Sequence, residues 1–123
     1  MTLCLDDLFP SDFDINKEIR SNKIHHLLGV DVSDDQDLSV KTTWGPQLTV
    51  DPANTTPFAV EFDDLARLHY LCISRKVTTI LEFGVGKSTF VFASALMHNK
   101  LHHSEYATQQ LRRGNLFELH SVD

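Results

Sequence analysis

The chain has 123 residues, of which 41% are hydrophobic and 23% charged, so its length and composition fit one globular domain and exclude two. Its formal net charge of −6 excludes a basic field that would attract nucleic acid, and no apolar run approaches the roughly 18 residues of a membrane span. The acidic N-terminus also lacks the cationic start of a signal peptide. The sequence therefore predicts a cytoplasmic protein for which no membrane or nucleic-acid partner is indicated.

The N-terminal half is weakly patterned and contains most of the turn-forming prolines and glycines. Loosely periodic apolar residues predict one short helix over residues 16–28, and the remainder is typical of loops. We therefore divide the chain into an irregular N-terminal segment, residues 1–57, and a more regular domain, residues 58–123.

The regular domain begins with a predicted amphipathic helix over residues 61–75. Its apolar positions recur at helical spacing: Phe62, Leu65, Leu68 and Cys72. Acidic residues near its start and basic residues at its end complement the helix dipole. The next run, residues 77–81, is β-branched and apolar, which predicts a strand buried on both faces, as in a parallel sheet covered by helices.

Two glycines, Gly84 and Gly86, end this strand, and Ser88 can cap the helix predicted over residues 89–99. That helix is apolar on nearly all sides, which predicts that it is buried. A second strand is predicted over residues 116–122 after a turn. Strand, helix and strand in this order imply a right-handed parallel crossover and an α/β fold class.

A glycine loop between a buried strand and a helix is typical of several ligand sites, because backbone approaches a ligand closely where no Cβ intervenes. Gly86-Lys87-Ser88 suggests a P-loop for ATP or GTP, but that motif requires a glycine where the chain has Leu81. A dinucleotide fingerprint requires a third glycine where the chain has Thr89, and an acid opening the loop would face the pyrophosphate. The P-loop stays as an alternative hypothesis.

The full loop reads Glu82-Phe83-Gly84-Val85-Gly86-Lys87-Ser88-Thr89. This acid-x-Gly-x-Gly pattern resembles the first motif of class I S-adenosylmethionine-dependent methyltransferases, particularly members whose loop reads Leu-Glu-Phe-Gly-x-Gly-x-Ser-Thr. The resemblance covers residues 78–123. It implies that this region is the first βαβ unit of a Rossmann-like, doubly wound sheet, preceded by a mixed helix and loop segment.

The resemblance also implies S-adenosylmethionine as cofactor. It implies these cofactor-binding residues: Glu82, Phe83, Gly84, Val85, Gly86, Ser88 and Asp123. The carboxylate of Glu82 would lie near the methionine ammonium group, and Asp123 would bond the ribose hydroxyls. The interval before Asp123 exceeds the usual spacing, so residues 98–113 would be an insertion after the helix.

Further strands of such a sheet are expected but absent, so we expect a cofactor-binding portion that does not methylate anything alone. The methyl acceptor and any catalytic base are unknown. The open sheet edges predict either an oligomer or, as an alternative function, a non-enzymatic interaction module. No metal site is predicted, because the adjacent pairs His25-His26 and His102-His103 point apart and no carboxylate or cysteine spacing completes a site.

Overall fold

The computed structural model describes residues 8–38, 61–112, 114 and 116–123. Its elements are, in chain order, α1 (Ile15–Ser21), α2 (Ile24–Leu27), α3 (Phe62–Ser74), β1 (Thr79–Phe83), α4 (Lys87–Gln110) and β2 (Glu118–Val122). The predicted extended and loop pieces of residues 39–60 lie outside the described residues.

The predicted helix over residues 16–28 is two short helices. Asp14 caps α1, because its side chain accepts a hydrogen bond from the backbone N–H of Lys17 at 3.2 Å. Lys23 then adopts the left-handed region with φ of 54°, which no continuous α-helix contains, and α2 begins after it. The prediction of a single helix was therefore wrong at Lys23.

The two short helices pack against the regular domain through one apolar core. Its buried members are Ile19, Ile24, Leu38, Phe62, Leu65, Ala66 and Val91. A polar contact supplements this core, because the ring of buried His69 on α3 lies with Nδ1 3.1 Å from a carboxylate oxygen of Glu18 on α1. The N-terminal segment is thus joined to α3 by both apolar and polar contacts.

Helix α3 confirms the predicted amphipathic helix to within one residue at each end. Its inner face includes Cys72, a free thiol that is buried against neighbouring side chains. Burial raises the pKa of Cys72 to about 11. The thiol therefore stays protonated and behaves as a small apolar side chain.

The two strands pair in parallel, as the order of strand, helix and strand predicts. Thr79 is opposite Glu118 and Phe83 is opposite Val122, so the strands are in register over their whole length. The pairing continues one step further, since the N–H of Gly84 donates to the carbonyl of Val122 at 2.6 Å. The α/β class is confirmed, with a two-stranded parallel sheet among the described residues.

The prediction that β1 is buried on both faces was wrong. Among the described elements only α4 packs closely on the sheet, and it covers the face that contains Glu82. On the other face Leu81 is 60% exposed and Phe83 is 82% exposed. One face of β1 is therefore covered and the other is open.

Helix α4 is longer than predicted, with 24 residues where the sequence indicated helix only over residues 89–99. The expected insertion over residues 98–113 is mostly a continuation of this helix as far as Gln110. The expectation of burial all round was also wrong, because Phe90 and Met97 on its outer side are exposed. None of the helices in the described ranges is long and apolar enough to cross a membrane.

The inner side of α4 contains a buried amide that connects three elements. The Nδ2 atom of Asn99 donates to the carbonyl of Cys72 in α3 and to the carbonyl of Val77 just before β1, each at 2.9 Å. Asn99 is fully buried. These bonds fix the height of α4 along the sheet and so position the helix start beside the glycine loop.

Candidate functional site at the glycine loop

The connection between β1 and α4 has three residues, 84–86, and lies at the carboxyl end of the strand. Gly84 has φ of +98°, a conformation that is strained for residues with a Cβ. Gly86 is extended, and a Cβ built at either glycine would meet no atom within 4 Å. The loop backbone at these two glycines therefore faces open space.

Directly below the loop, the carboxylate of Glu82 is only 9% exposed and accepts three hydroxyl hydrogen bonds. Ser88 donates to Oε1, Thr89 donates to Oε2 at 2.8 Å, and Ser121 donates to Oε2 at 3.0 Å. Two of these donors are in the first turn of α4 and the third is on β2. Glu82 thus joins the helix start to both strands.

Thr89 extends this network to the loop backbone. Its hydroxyl accepts a hydrogen bond from the N–H of Gly86 at 3.1 Å while donating to Glu82. Gly86 is the residue that precedes the first helical turn. The predicted capping role of Ser88 was therefore wrong, because the Ser88 hydroxyl points to Glu82 and Thr89 satisfies an orphan amide of the helix start.

Burial acts to raise the pKa of Glu82, but the three hydroxyl donors outweigh it and hold the pKa of this carboxyl below its ordinary value. The carboxylate is accordingly ionised at neutral pH. Its negative charge lies beneath the amino end of α4, where the helix dipole is positive.

The remaining predicted site residues surround the same strand ends. Asp123 directly follows β2 and is exposed. Continuing the parallel register by one residue places it beside Gly84. Phe83 and Val85 are also exposed. The structure thus brings the glycine loop and Asp123 to one edge of the sheet, whereas the Phe83 side chain lies on the open face.

Sequence analysis missed Thr89 and Ser121 as partners of Glu82. Ser121 was detectable in principle, because it lies directly opposite Glu82 in the parallel register and so shares its face. That register becomes evident only when both strand ends are known. Among the described residues, no group of three or more histidine, cysteine or carboxylate side chains is arranged to hold a metal ion.

Comparison with known proteins gave no relative from which a function could be transferred. No protein-family model, no curated protein and no solved structure matches the chain. The interpretation of the glycine loop therefore depends on its own geometry and on the sequence motif.

Proposed function

We propose that the glycine loop and Asp123 form a binding site for S-adenosylmethionine, within the first βαβ unit of a Rossmann-like methyltransferase domain. The observation that supports this most is the buried Glu82 carboxylate, which fixes an open glycine backbone at the carboxyl ends of two parallel strands. Ligands of open α/β sheets bind at such strand ends. We further propose that this binding takes place in the cytoplasm.

The geometry divides the proposed roles between side chains and backbone. Both oxygens of Glu82 already accept hydroxyl bonds, so Glu82 orients the loop and contributes negative charge near the ligand ammonium group. The backbone of Gly84 and Gly86 would contact the methionine moiety, whose carboxylate suits the positive end of α4. Asp123 would accept hydrogen bonds from the ribose hydroxyls.

When bound, the cofactor supplies an electrophilic methyl group on a sulfonium, and the protein contributes mainly its orientation. A buried anion beneath the loop favours this cationic ligand over a phosphate. The connection of three residues is also short for a phosphate-cradling loop, since Leu81 lies inside β1 where that motif requires a glycine. These features support the S-adenosylmethionine hypothesis over the ATP or GTP alternative.

The test is calorimetric titration of the untagged chain with S-adenosylhomocysteine and, separately, with ATP and Mg²⁺. Gly86→Ala is the informative variant, because an extended backbone accepts alanine and the new methyl group meets no protein atom. Gly114→Ala is the matched control, since its Cβ is equally unobstructed but lies outside the loop.

We expect S-adenosylhomocysteine to bind the natural chain and Gly114→Ala equally, and to bind Gly86→Ala at least about tenfold more weakly. Asp123→Asn should also weaken binding, because the ribose contact loses a charged acceptor. Binding of ATP with Mg²⁺, without binding of S-adenosylhomocysteine, would support the P-loop alternative instead. Absence of binding by either ligand would refute both.

A second candidate function is self-association through the uncovered sheet, and one observation favours it. Leu81, Phe83 and Val122 are all more than half exposed and share one face, because alternate residues of parallel partners point the same way. Light scattering at increasing concentration distinguishes the two functions. A stable oligomer that dissociates in Phe83→Ser and ignores S-adenosylhomocysteine would establish the interaction module.

A further inference from the structure

Two histidines on α4 lie on one side of the helix. His98 and His102 are four residues apart, and residues at this spacing are neighbours on a helix surface. Their ring centroids are 4.3 Å apart, with the rings tilted by 37°. This spacing, unlike adjacency in sequence, places two side chains where they can share one ion.

Among the described residues, His98 and His102 have no carboxylate partner, which also holds for the closely spaced rings of His25 and His26. The Nδ1 atom of His98 is enclosed by protein and has no hydrogen-bond partner among the described residues, which leaves Nε2 as the atom that can bind an ion. His102 is exposed. By contrast, His69 contacts Glu18, and His120 contacts Glu118 at 2.9 Å.

Imidazole nitrogen is a preferred ligand of late first-row divalent ions, which bind it at about 2.0–2.1 Å. Two histidines at i and i+4 on a helix supply two of the protein ligands in several zinc sites. Glu105 lies three residues beyond His102 on the same helical face and is exposed. Within the part of the chain that the structure describes, its carboxylate accepts one long hydrogen bond, from Gln109 at 3.4 Å, so it can turn toward the histidines.

We propose that His98 and His102 form a surface site for a divalent transition-metal ion such as Zn²⁺, with water completing the coordination. The described side chains form no group of three ligands as they stand, so the site starts from the two histidines and Glu105 rotates to become the third ligand when the ion binds. The chain's net charge of −6 favours cation approach. His98 is 11 residues along α4 from its start, about 16 Å, so this site is independent of the glycine loop.

The test is calorimetric titration of the untagged chain with ZnCl₂, reversed by EDTA. His102→Gln is the informative variant, because an exposed side chain can be changed without disturbing packing. His103→Gln is the matched control: it removes one neighbouring histidine, but position 103 lies about 100° around the helix from 102. Circular dichroism should show equal helix content for all three proteins.

We expect Zn²⁺ to bind the natural chain and His103→Gln alike, and to bind His102→Gln at least about tenfold more weakly. Zn²⁺ should also raise the thermal midpoint of the natural chain but not of His102→Gln, since an ion that binds only the folded state stabilises it. Glu105→Gln should bind more weakly than the natural chain. Equal Zn²⁺ affinity in His102→Gln and His103→Gln, or no binding by the natural chain, would overturn the site.

Discussion

At its carboxyl end, β1 has a charged residue on its covered face and apolar residues on its open face, the reverse of the usual order. The covered face contains an ionised carboxylate, Glu82, whereas the open face contains Leu81 and Phe83. A strand with one covered face normally places its apolar residues on that face. Natural proteins break such a pattern mainly at functional positions.

The difference teaches that the strand end is organised around a polar network rather than an apolar core. Glu82 is retained inside because Ser88, Thr89 and Ser121 satisfy it, and a fully satisfied network rigidifies its surroundings. The open face instead bears an exposed hydrogen bond between Glu118 and His120. Beside it lie the exposed side chains of Leu81, Phe83 and Val122, which suit contact with another surface. Four predictions sharpen this comparison.

The largest expected effect follows removal of the carboxylate from the covered face. Glu82→Leu should lower the free energy of unfolding by about 2–3 kcal/mol, because three hydroxyls lose a charged acceptor at once. Urea unfolding measures this change. Glu118→Gln removes an equal charge from an exposed contact with His120 on β2, and its effect should stay within about 0.5 kcal/mol. Equal effects of the two changes would contradict the network.

Removal of the buried amide above the covered face should have a slightly smaller effect. Asn99→Ala should cost about 2 kcal/mol, because the carbonyl of Val77 loses its donor and a cavity replaces the side chain. Lys100→Ala, at the next and exposed position of α4, is the control in the same urea experiment. A loss below about 0.5 kcal/mol in Asn99→Ala would show that α4 is positioned by other contacts.

The pH dependence of unfolding should also depend on Glu82. Since the folded pKa of Glu82 lies below the ordinary value of 4.5, its contribution to stability is complete above that value and is lost as the pH falls below it and through the folded pKa. The loss of stability in this range should therefore be smaller in Glu82→Gln.

A second titrating group, His25, also makes the stability depend on pH. The pH curve of the natural chain therefore has to be compared with that of Glu82→Gln. Burial, with the nearby charges of His26 and Arg20, lowers the pKa of His25, so stability also falls as the pH drops below about 6.5. That contribution is common to both proteins and cancels in their difference. Parallel pH curves for the natural chain and Glu82→Gln would contradict the assigned direction for Glu82.

The smallest expected effect is on the open face. Phe83→Ser should change the free energy of unfolding by no more than about 0.5 kcal/mol, because an 82% exposed side chain loses little contact. The same urea experiment detects this. A loss above about 1.5 kcal/mol would mean that Phe83 is packed in solution, and the contrast between the two faces would disappear.

Local patterns predicted much of this fold. The period of the apolar residues located α3, and the β-branched run and the final apolar run located β1 and β2 to within two residues at each end. Parallel pairing followed from the intervening helix. These predictions were correct because they depend on short stretches of sequence, whose local preferences the tertiary contacts reinforce.

The predictions that failed concern features set by contacts between residues that are distant in sequence. The sequence gives no sign that Lys23 adopts the left-handed conformation, since glycine and asparagine are the usual residues there. The exposure of Phe83 depends on what covers the sheet, which no local pattern reveals. For the site, the motif located Glu82 and the glycines, but the Ser121 contact required the register of two strands 39 residues apart.

The thiol of Cys72 has a consequence for the kinetics of the molecule. Only a thiolate reacts readily with alkylating reagents, and this one is both enclosed and held protonated by burial. Reaction therefore has to wait until α3 separates from its neighbours. The rate at which Cys72 is alkylated under native conditions would consequently report how often this helix opens, and so how strongly the layer that supports the glycine loop is closed.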